Sequence, residues 1–262
     1  MKSTSLMSLL VLCSALILGA QALADADNTI MPKNEAPKKL ATPPAKPAAT
    51  KTVKAKPAKQ KPTVVVFMGA PGSGKGTQAA MLSKKMGVPH ISTGDLLRAE
   101  VAKGTALGKQ AGAIMKKGEL VPDEMVLTML QKRASQRDCN KGYLIDGFPR
   151  TEAQAKMLDM WLKERTNMVV VNLDVKDNVI MERIAGRAKE AGDKKRADDN
   201  PESVKERLAQ YHKNTQPLMA TYEEQKRLIN IDGSEDIDSI HKHIWEEVQK
   251  RQSAGAPAKK AG

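Results

Sequence analysis

Gly69–Thr77 reads GAPGSGKGT and follows four β-prone residues, Val64–Phe67. The four residues suit a short buried strand, and the glycines after them cannot continue it. Gly69, Gly72, Gly74 and Gly76 free the backbone to curl, so that successive N–H groups converge on one anion. A helix beginning near Lys75 adds the positive end of its dipole at the same point. Lys75 supplies a mobile positive charge, and the Thr77 hydroxyl is a hard oxygen suited to magnesium. Gly69, four residues and then Gly74-Lys75 form a phosphate-binding loop, with Gly76 where Ser or Thr is usual. The pattern predicts a nucleotide triphosphate site rather than a bare glycine-rich turn.

Further polar clusters stand where strands are expected to end. Ser92-Thr93-Gly94-Asp95-Leu96-Leu97-Arg98 opens a helix, and Ser92 or Thr93 suits either an N-cap or a binding surface. Asp146-Gly147-Phe148-Pro149-Arg150 follows a third strand. An Asp there can orient magnesium-bound water, and an Arg can grip phosphate through two N–H groups, although a plain strand-end turn has the same composition. Arg183 and Arg187 are four residues apart and share a helix face. Arg196 and Arg207 lie beyond a polar excursion, Lys189 to Asn200. The four arginines are either a solvated surface or a clamp that closes over nucleotide.

The elements that must position these groups alternate between strand and helix, which predicts a parallel α/β sheet flanked by helices. Strands are expected at 63–68, 88–91, 142–146, 168–173 and 228–232. Helices are expected near 76–86, 94–103, 107–117, 123–136, 152–164, 177–188, 201–225 and 236–250. The helices between the second and third strands exceed what one crossover needs, so they form an inserted subdomain, and residues 189–200 form a mobile loop. In such sheets ligands sit at the carboxyl ends of the strands, where the phosphate loop lies.

The chain has 262 residues and a net charge of +13, but the charge is unevenly placed. Residues 31–62 carry nine Lys against one Glu, and the part from 63 to 249 is left with about +2. No aromatic residue interleaves the basic stretch, so nucleic-acid binding has little support. Cys13 and Cys139 are the only cysteines, which excludes a disulfide framework and a cysteine zinc site. Lys2, the apolar run Leu6 to Gly19 and Ala22-Leu23-Ala24 make residues 1–24 a secretory signal, the run being short for a membrane span. An uncleaved anchor and a shorter start at Met31 are the alternatives. Residues 25–62 read as a disordered, semi-stiff Lys/Pro/Ala spacer, either a plain solvated linker or a contact for an anionic surface. Residues 251–262 read as a disordered basic tail.

GAPGSGKGTQ, STGDLLR, DGFPRT with Gln154 four residues after Arg150, and the Arg/Asp pattern through RADDN and KERL together resemble the adenylate kinase family. The likeness spans roughly residues 63–249, with the motifs in order. It implies a P-loop kinase sheet with an AMP-binding helical insertion (about 92–121) and a lid (about 187–197), within a domain at 63–250. The implied reaction is ATP + AMP ⇌ 2 ADP with magnesium, held through water by Thr77 and Asp146. Gly72, Ser73, Gly74, Lys75, Gly76 and Thr77 would hold the ATP phosphates. Thr93, Arg98, the main chain of Glu119, Leu120 and Val121, Gly147, Phe148, Pro149, Arg150 and Gln154 would hold AMP, with Gln154 reading adenine. Arg183 would stack over the ATP base beside Arg187, the main chain near Glu235 would touch that base, and Arg196 and Arg207 would neutralise phosphate as the lid closes. Lys75, Arg150, Arg187, Arg196 and Arg207 form the implied catalytic set.

Ala188 to Lys195 is short and lacks Cys and His, resembling the short-lid form without zinc. The implied partners are ATP, AMP and ADP, bound by a monomer. The leader and spacer depart from the family's cytoplasmic pattern. A pyrimidine monophosphate kinase is the alternative enzyme, which Thr93 and Gln154 disfavour. A non-catalytic nucleotide-binding or surface-attachment protein is the alternative outside enzymes.

Overall fold

The strand that carries the phosphate loop lies at the centre of the sheet. β1 (Thr63–Gly69), β2 (His90–Ser92), β3 (Gly142–Asp146), β4 (Asn167–Asp174) and β5 (Leu228–Asp232) line up in the order β2-β3-β1-β4-β5. All pairs are parallel, with Val65 opposite Leu144 on one side and Val169 on the other. The computed structural model describes residues 61–192, 196 and 198–254, all within one unit. The expected leader at 1–24, all but the end of the spacer, the tail from 255 and lid positions 193–195 and 197 lie outside the described residues.

Side chains alternate across a strand, and β1 uses both faces. Val64, Val66 and Met68 join one core with Leu97, Leu130, Leu158 and Tyr222. Val65 and Phe67 join the other with Leu82, Ile240, Ile244 and Val248. The second core packs α1 (Lys75–Met86) and α9 (Ile237–Ala254) against the sheet. The first packs α2 (Thr93–Ala102), α4 (Asp123–Ala134), α5 (Glu152–Leu162) and α8 (Leu218–Glu224). Together with α3 (Ala106–Lys116), α2 and α4 stand between β2 and β3, more helices than one crossover needs. A smaller core of Ala70, Val175, Ile180, Ile184, Val204 and Leu208 joins α6 (Asp177–Ala191) to α7 (Pro201–Gln210).

Four of the departures from the expected bounds have a plain local reason. β2 starts at His90 rather than 88, because Pro89 has no N–H to give a ladder; its carbonyl still accepts from Leu144 N at 2.9 Å. The single helix expected over 201–225 is broken. α7 passes into a π turn at Tyr211–Thr215, and Pro217 stands before α8. There Thr215 Oγ1 donates to Arg150 O at 2.7 Å, tying the turn to the end of β3. α6 runs to Ala191 instead of 188, which shortens the lid connection. Finally, residues 251–254 belong to α9 rather than to a tail, since Arg251 donates to the carbonyls of Lys226 and Leu228 and holds that last turn on the sheet edge.

Candidate active site

Two glycines of the loop are required by close approach as well as by backbone angle. At Gly69 φ is +135°, and a Cβ would stand 2.6 Å from Leu173 O. At Gly72 φ is +85°, and a Cβ would stand 2.7 Å from Ile184 Cγ1, so the loop lies flush on α6. Gly76 differs: a Cβ there would meet Asp146 Oδ2 at an ordinary 3.6 Å, so the fold does not demand glycine where Ser or Thr is usual. α1 starts at Lys75 behind Gly74 with no side-chain cap and no acidic residue in its first turn. Its dipole end and orphan N–H groups are therefore left for an anion. Lys75 Nζ folds back to donate to Ala70 O at 2.7 Å and Gly69 O at 2.9 Å. Desolvation lowers its pKa to about 8; Asp146 opposes this, and Arg150, Arg207 and Arg187 add to it.

The ends of β2 and β3 supply the opposite wall. The N-cap is Ser92, whose Oγ accepts from Asp95 N at 3.2 Å. That leaves the buried Thr93 hydroxyl to donate to Asp146 O at 3.2 Å. Burial pushes the Asp146 carboxyl up, but neighbouring His90, Lys75 and Arg150 hold it below the usual carboxylate range. His90 Nε2 stands 3.8 Å from Asp146 Oδ2, beyond hydrogen-bond distance. Arg150 Nε donates to Gly147 O at 2.8 Å. Burial lowers the Arg150 pKa, as does Arg207, against Asp146 and Asp198. Thr77 and Asp146 both face this cleft and offer the hard oxygen donors that magnesium prefers, so the residues fit a metal entering with its nucleotide.

Across the cleft, Glu119, Leu120 and Val121 end the insertion beside Leu97, Met115 and Val126. Arg98 pairs with Asp95 at 2.5 Å. Gln154 is buried behind Thr151, which caps α5. From the lid side, Arg183 NH1 reaches Ser73 O at 3.3 Å. Arg187 grips Asp199 with two hydrogen bonds, 2.6 and 3.1 Å. Arg207 pairs with Asp198 at 2.9 Å and Asp199 at 3.5 Å. Burial, Arg98 and Arg187 lower the Arg196 pKa. Glu235 lines the same cleft near Gln78, whose Nε2 donates to Ile237 O at 2.8 Å.

The cleft has a volume of about 1060 Å³ and is lined by every residue given a nucleotide or magnesium role from the sequence except Phe148. Phe148 is fully buried in the core with Leu158 and Tyr222, so its side chain anchors the turn. The four arginines of the lid region reach the cleft rather than a solvated face. Sequence reasoning missed the carboxylates that hold this array, Asp198 and Asp199 just before α7 and Asp123 behind Gln154. The RADDN stretch signalled the first two; Asp123, 31 residues from Gln154, gave no signal.

The adenylate kinase family model matches residues 67–227. An adenylate kinase of Stenotrophomonas maltophilia (strain R551-3) is 48% identical over 182 residues, 69% of this chain and 96% of the relative. One from Xanthomonas campestris pv. campestris (strain B100) is 49% identical over the same shares. Adenylate kinase 1 of Synechocystis is 47% identical over 179 residues, 67% of this chain and 91% of the relative. With its parallel sheet, its phosphate loop and a cleft ringed by arginines, this chain belongs to the adenylate kinase family of nucleoside monophosphate kinases.

Proposed function

We propose that the protein transfers the terminal phosphoryl group of MgATP to AMP, reversibly, as a monomer. The observation that carries this reading is the convergence of Lys75, Arg150, Arg187 and Arg207 on one cleft in front of the uncapped N-terminus of α1. Like charges gathered at close quarters are stabilised by a polyanion between them. Phosphoryl transfer needs in-line positioning and charge neutralisation more than covalent help, and this array supplies both without a general base. On this reading the loop residues Gly72–Thr77 hold the ATP phosphates, and Lys75 leaves the Gly69 and Ala70 carbonyls to follow the transferred group. Thr77 and Asp146 would hold magnesium through water, and the ion would supply charge neutralisation to the phosphates. Arg183 and the Glu235 region flank the ATP base. Thr93, Arg98, the 119–121 main chain, Gly147–Arg150 and Gln154 hold AMP. Arg187 and Arg207 exchange Asp199 and Asp198 for phosphate, with Arg196 beside them, as the lid closes and excludes water.

The same reading assigns residues 63–250 to the kinase domain, about 92–121 to the AMP-binding insertion and about 187–197 to a short lid that takes no zinc. Residues 1–24 are assigned to export and 25–62 to a spacer. The test is a coupled assay of ADP formation from ATP with AMP, CMP or UMP. ADP from AMP, abolished by chelation and restored by magnesium, is expected. Turnover confined to CMP or UMP, none above background, or stoichiometric bound zinc would refute the reading. Thr93→Ala is expected to narrow the preference for AMP over CMP and UMP, because a buried polar group left unpaired rejects the wrong base.

A further inference from the structure

We propose that Asp123 is a positioning residue that fixes the direction of the Gln154 amide and thereby sets the choice of adenine over 6-oxopurines in the phosphoryl acceptor. This rests on the reading of Gln154 as the group that meets the acceptor base. Gln154 is 2% exposed and lines the cleft. Its Oε1 accepts from the main-chain N–H of Arg150 at 2.7 Å, and its Nε2 donates to Asp123 Oδ1 at 2.7 Å. A main-chain N–H can only donate and a carboxylate can only accept. One direction of the amide therefore satisfies both neighbours. The reversed amide would set donor against donor and acceptor against acceptor, leaving buried groups unpaired.

Each end of the amide keeps one capacity beyond these two bonds, a second N–H and a second lone pair. Adenine offers an acceptor at N1 and a donor at its 6-amino group. Hypoxanthine and guanine reverse both, with a donor at N1 and an acceptor at O6. For a purine seated in one pose, an amide held in one direction matches one of these orders, whereas an amide free to turn matches either. Asp123 is the first residue of α4, follows Pro122 and is partly buried. It lies behind Gln154 and not among the residues that line the cleft, so it acts through the amide and not on the base.

The test compares kcat/KM for AMP and for inosine monophosphate, with MgATP as donor, in the full chain and in D123N, D123A, D123E and Q154A. D123N matches the parent in size but can donate as well as accept, and D123A removes the acceptor, so that in both the Arg150 N–H alone is left to set the amide. Each is expected to lower the AMP/IMP ratio by roughly three- to tenfold. D123E restores a group that only accepts and is expected to retain more of the ratio than D123A. A purely structural role would lower both nucleotides together and leave the ratio where it was. If D123N and D123A keep the parental ratio while Q154A loses it, Asp123 does not orient the amide and the proposal fails. If Q154A also keeps the ratio, the base is read elsewhere, and the reading of Gln154 falls along with the proposal.

Discussion

Lys75 is held ready rather than idle: two loop carbonyls satisfy its ammonium group, and both hydrogen bonds can be exchanged for phosphate oxygens. Its worth lies in the transition state, where charge moves between nucleotides. Lys75→Met is therefore expected to lower kcat by about 10³-fold or more with little change in melting temperature; near-normal turnover would show that the loop has been misassigned. Gly147 makes a prediction of the opposite kind, in which geometry and not charge is at stake. Its φ is +85°, and a Cβ would stand 2.8 Å from Thr93 Oγ1 and 3.2 Å from an Arg150 nitrogen. Gly147→Ala should raise the KM for AMP well above its effect on ATP and destabilise the fold by about 1–3 kcal/mol. Steady-state kinetics beside thermal melting would check both parts. The lysine and the glycines were legible in the sequence because their chemistry depends on neighbours a few residues away. The pairings of Arg187 with Asp199 and of Gln154 with Asp123 depend on chain segments brought together by folding, and no spacing announces them.

At the scale of elements, the end of α3 is joined to α7. Ser203 Oγ in α7 donates to Lys116 O at 2.7 Å, and Gly118 sits so close that a Cβ would stand 2.7 Å from Ser203 O. Gly118 also has φ at +80°. Gly118→Ala should therefore separate α7 from the end of α3 and destabilise the chain by about 1–3 kcal/mol, read by chemical denaturation. Unchanged stability would mean that this contact is slack. The α6–π-turn contact makes a pH-dependent prediction. His212, at the start of the π turn, meets Gln216 Oε1 at 2.9 Å and Asp177 Oδ2 at 2.9 Å. The hydrogen bonds to Gln216 and then Asp177 raise its pKa above the ordinary value. A base raised on folding stabilises below its unfolded pKa, and that stabilisation is lost as pH rises through the folded one. His212→Ala should then cost a few tenths to about 1 kcal/mol near pH 5.5 and much less near pH 8.5, the exposed pair being screened by solvent. Equal costs at both pH values would dismiss the ion pair. The sheet and most helices followed from period and punctuation. The break of 201–225 did not, because a π turn leaves the apolar spacing nearly intact; only Pro217 marked it.

The molecule as a whole divides its charge in a way the catalytic cleft does not need. Nine lysines fall in residues 31–62, while residues 63–249 are nearly neutral. A kinase handling polyanions concentrates its cations in the cleft, as Lys75 and the arginines do, so the lysines of residues 31–62 are free either to solvate a plain linker or, as we propose, to meet an anionic surface. Lys2, the apolar run to Gly19 and Ala22-Leu23-Ala24 have the order of an export signal. The kinase domain also suits an oxidising compartment. Its one thiol in the described residues, Cys139, is free and buried, and burial raises its pKa against the pull of Arg133. Thiolate, the oxidisable form, is thereby suppressed. Cleavage between Ala24 and Asp25 would leave a basic arm that can span about 3.1 Å per residue where it is extended, long enough to hold an anionic surface while the cleft opens and closes. Attraction of that kind weakens as salt shortens the Debye length from about 10 Å at 0.1 M to about 3 Å at 1 M. N-terminal sequencing of the native protein should therefore begin at Asp25, and the mature protein should leave anionic vesicles between about 0.1 and 1 M salt. A chain starting at Met1 or Met31 in the cytoplasmic fraction would end the export proposal, and salt-insensitive or absent vesicle binding would end the role given to the arm. Either result would leave the chemistry of the cleft as it stands, because none of the residues that carry it lies before position 63.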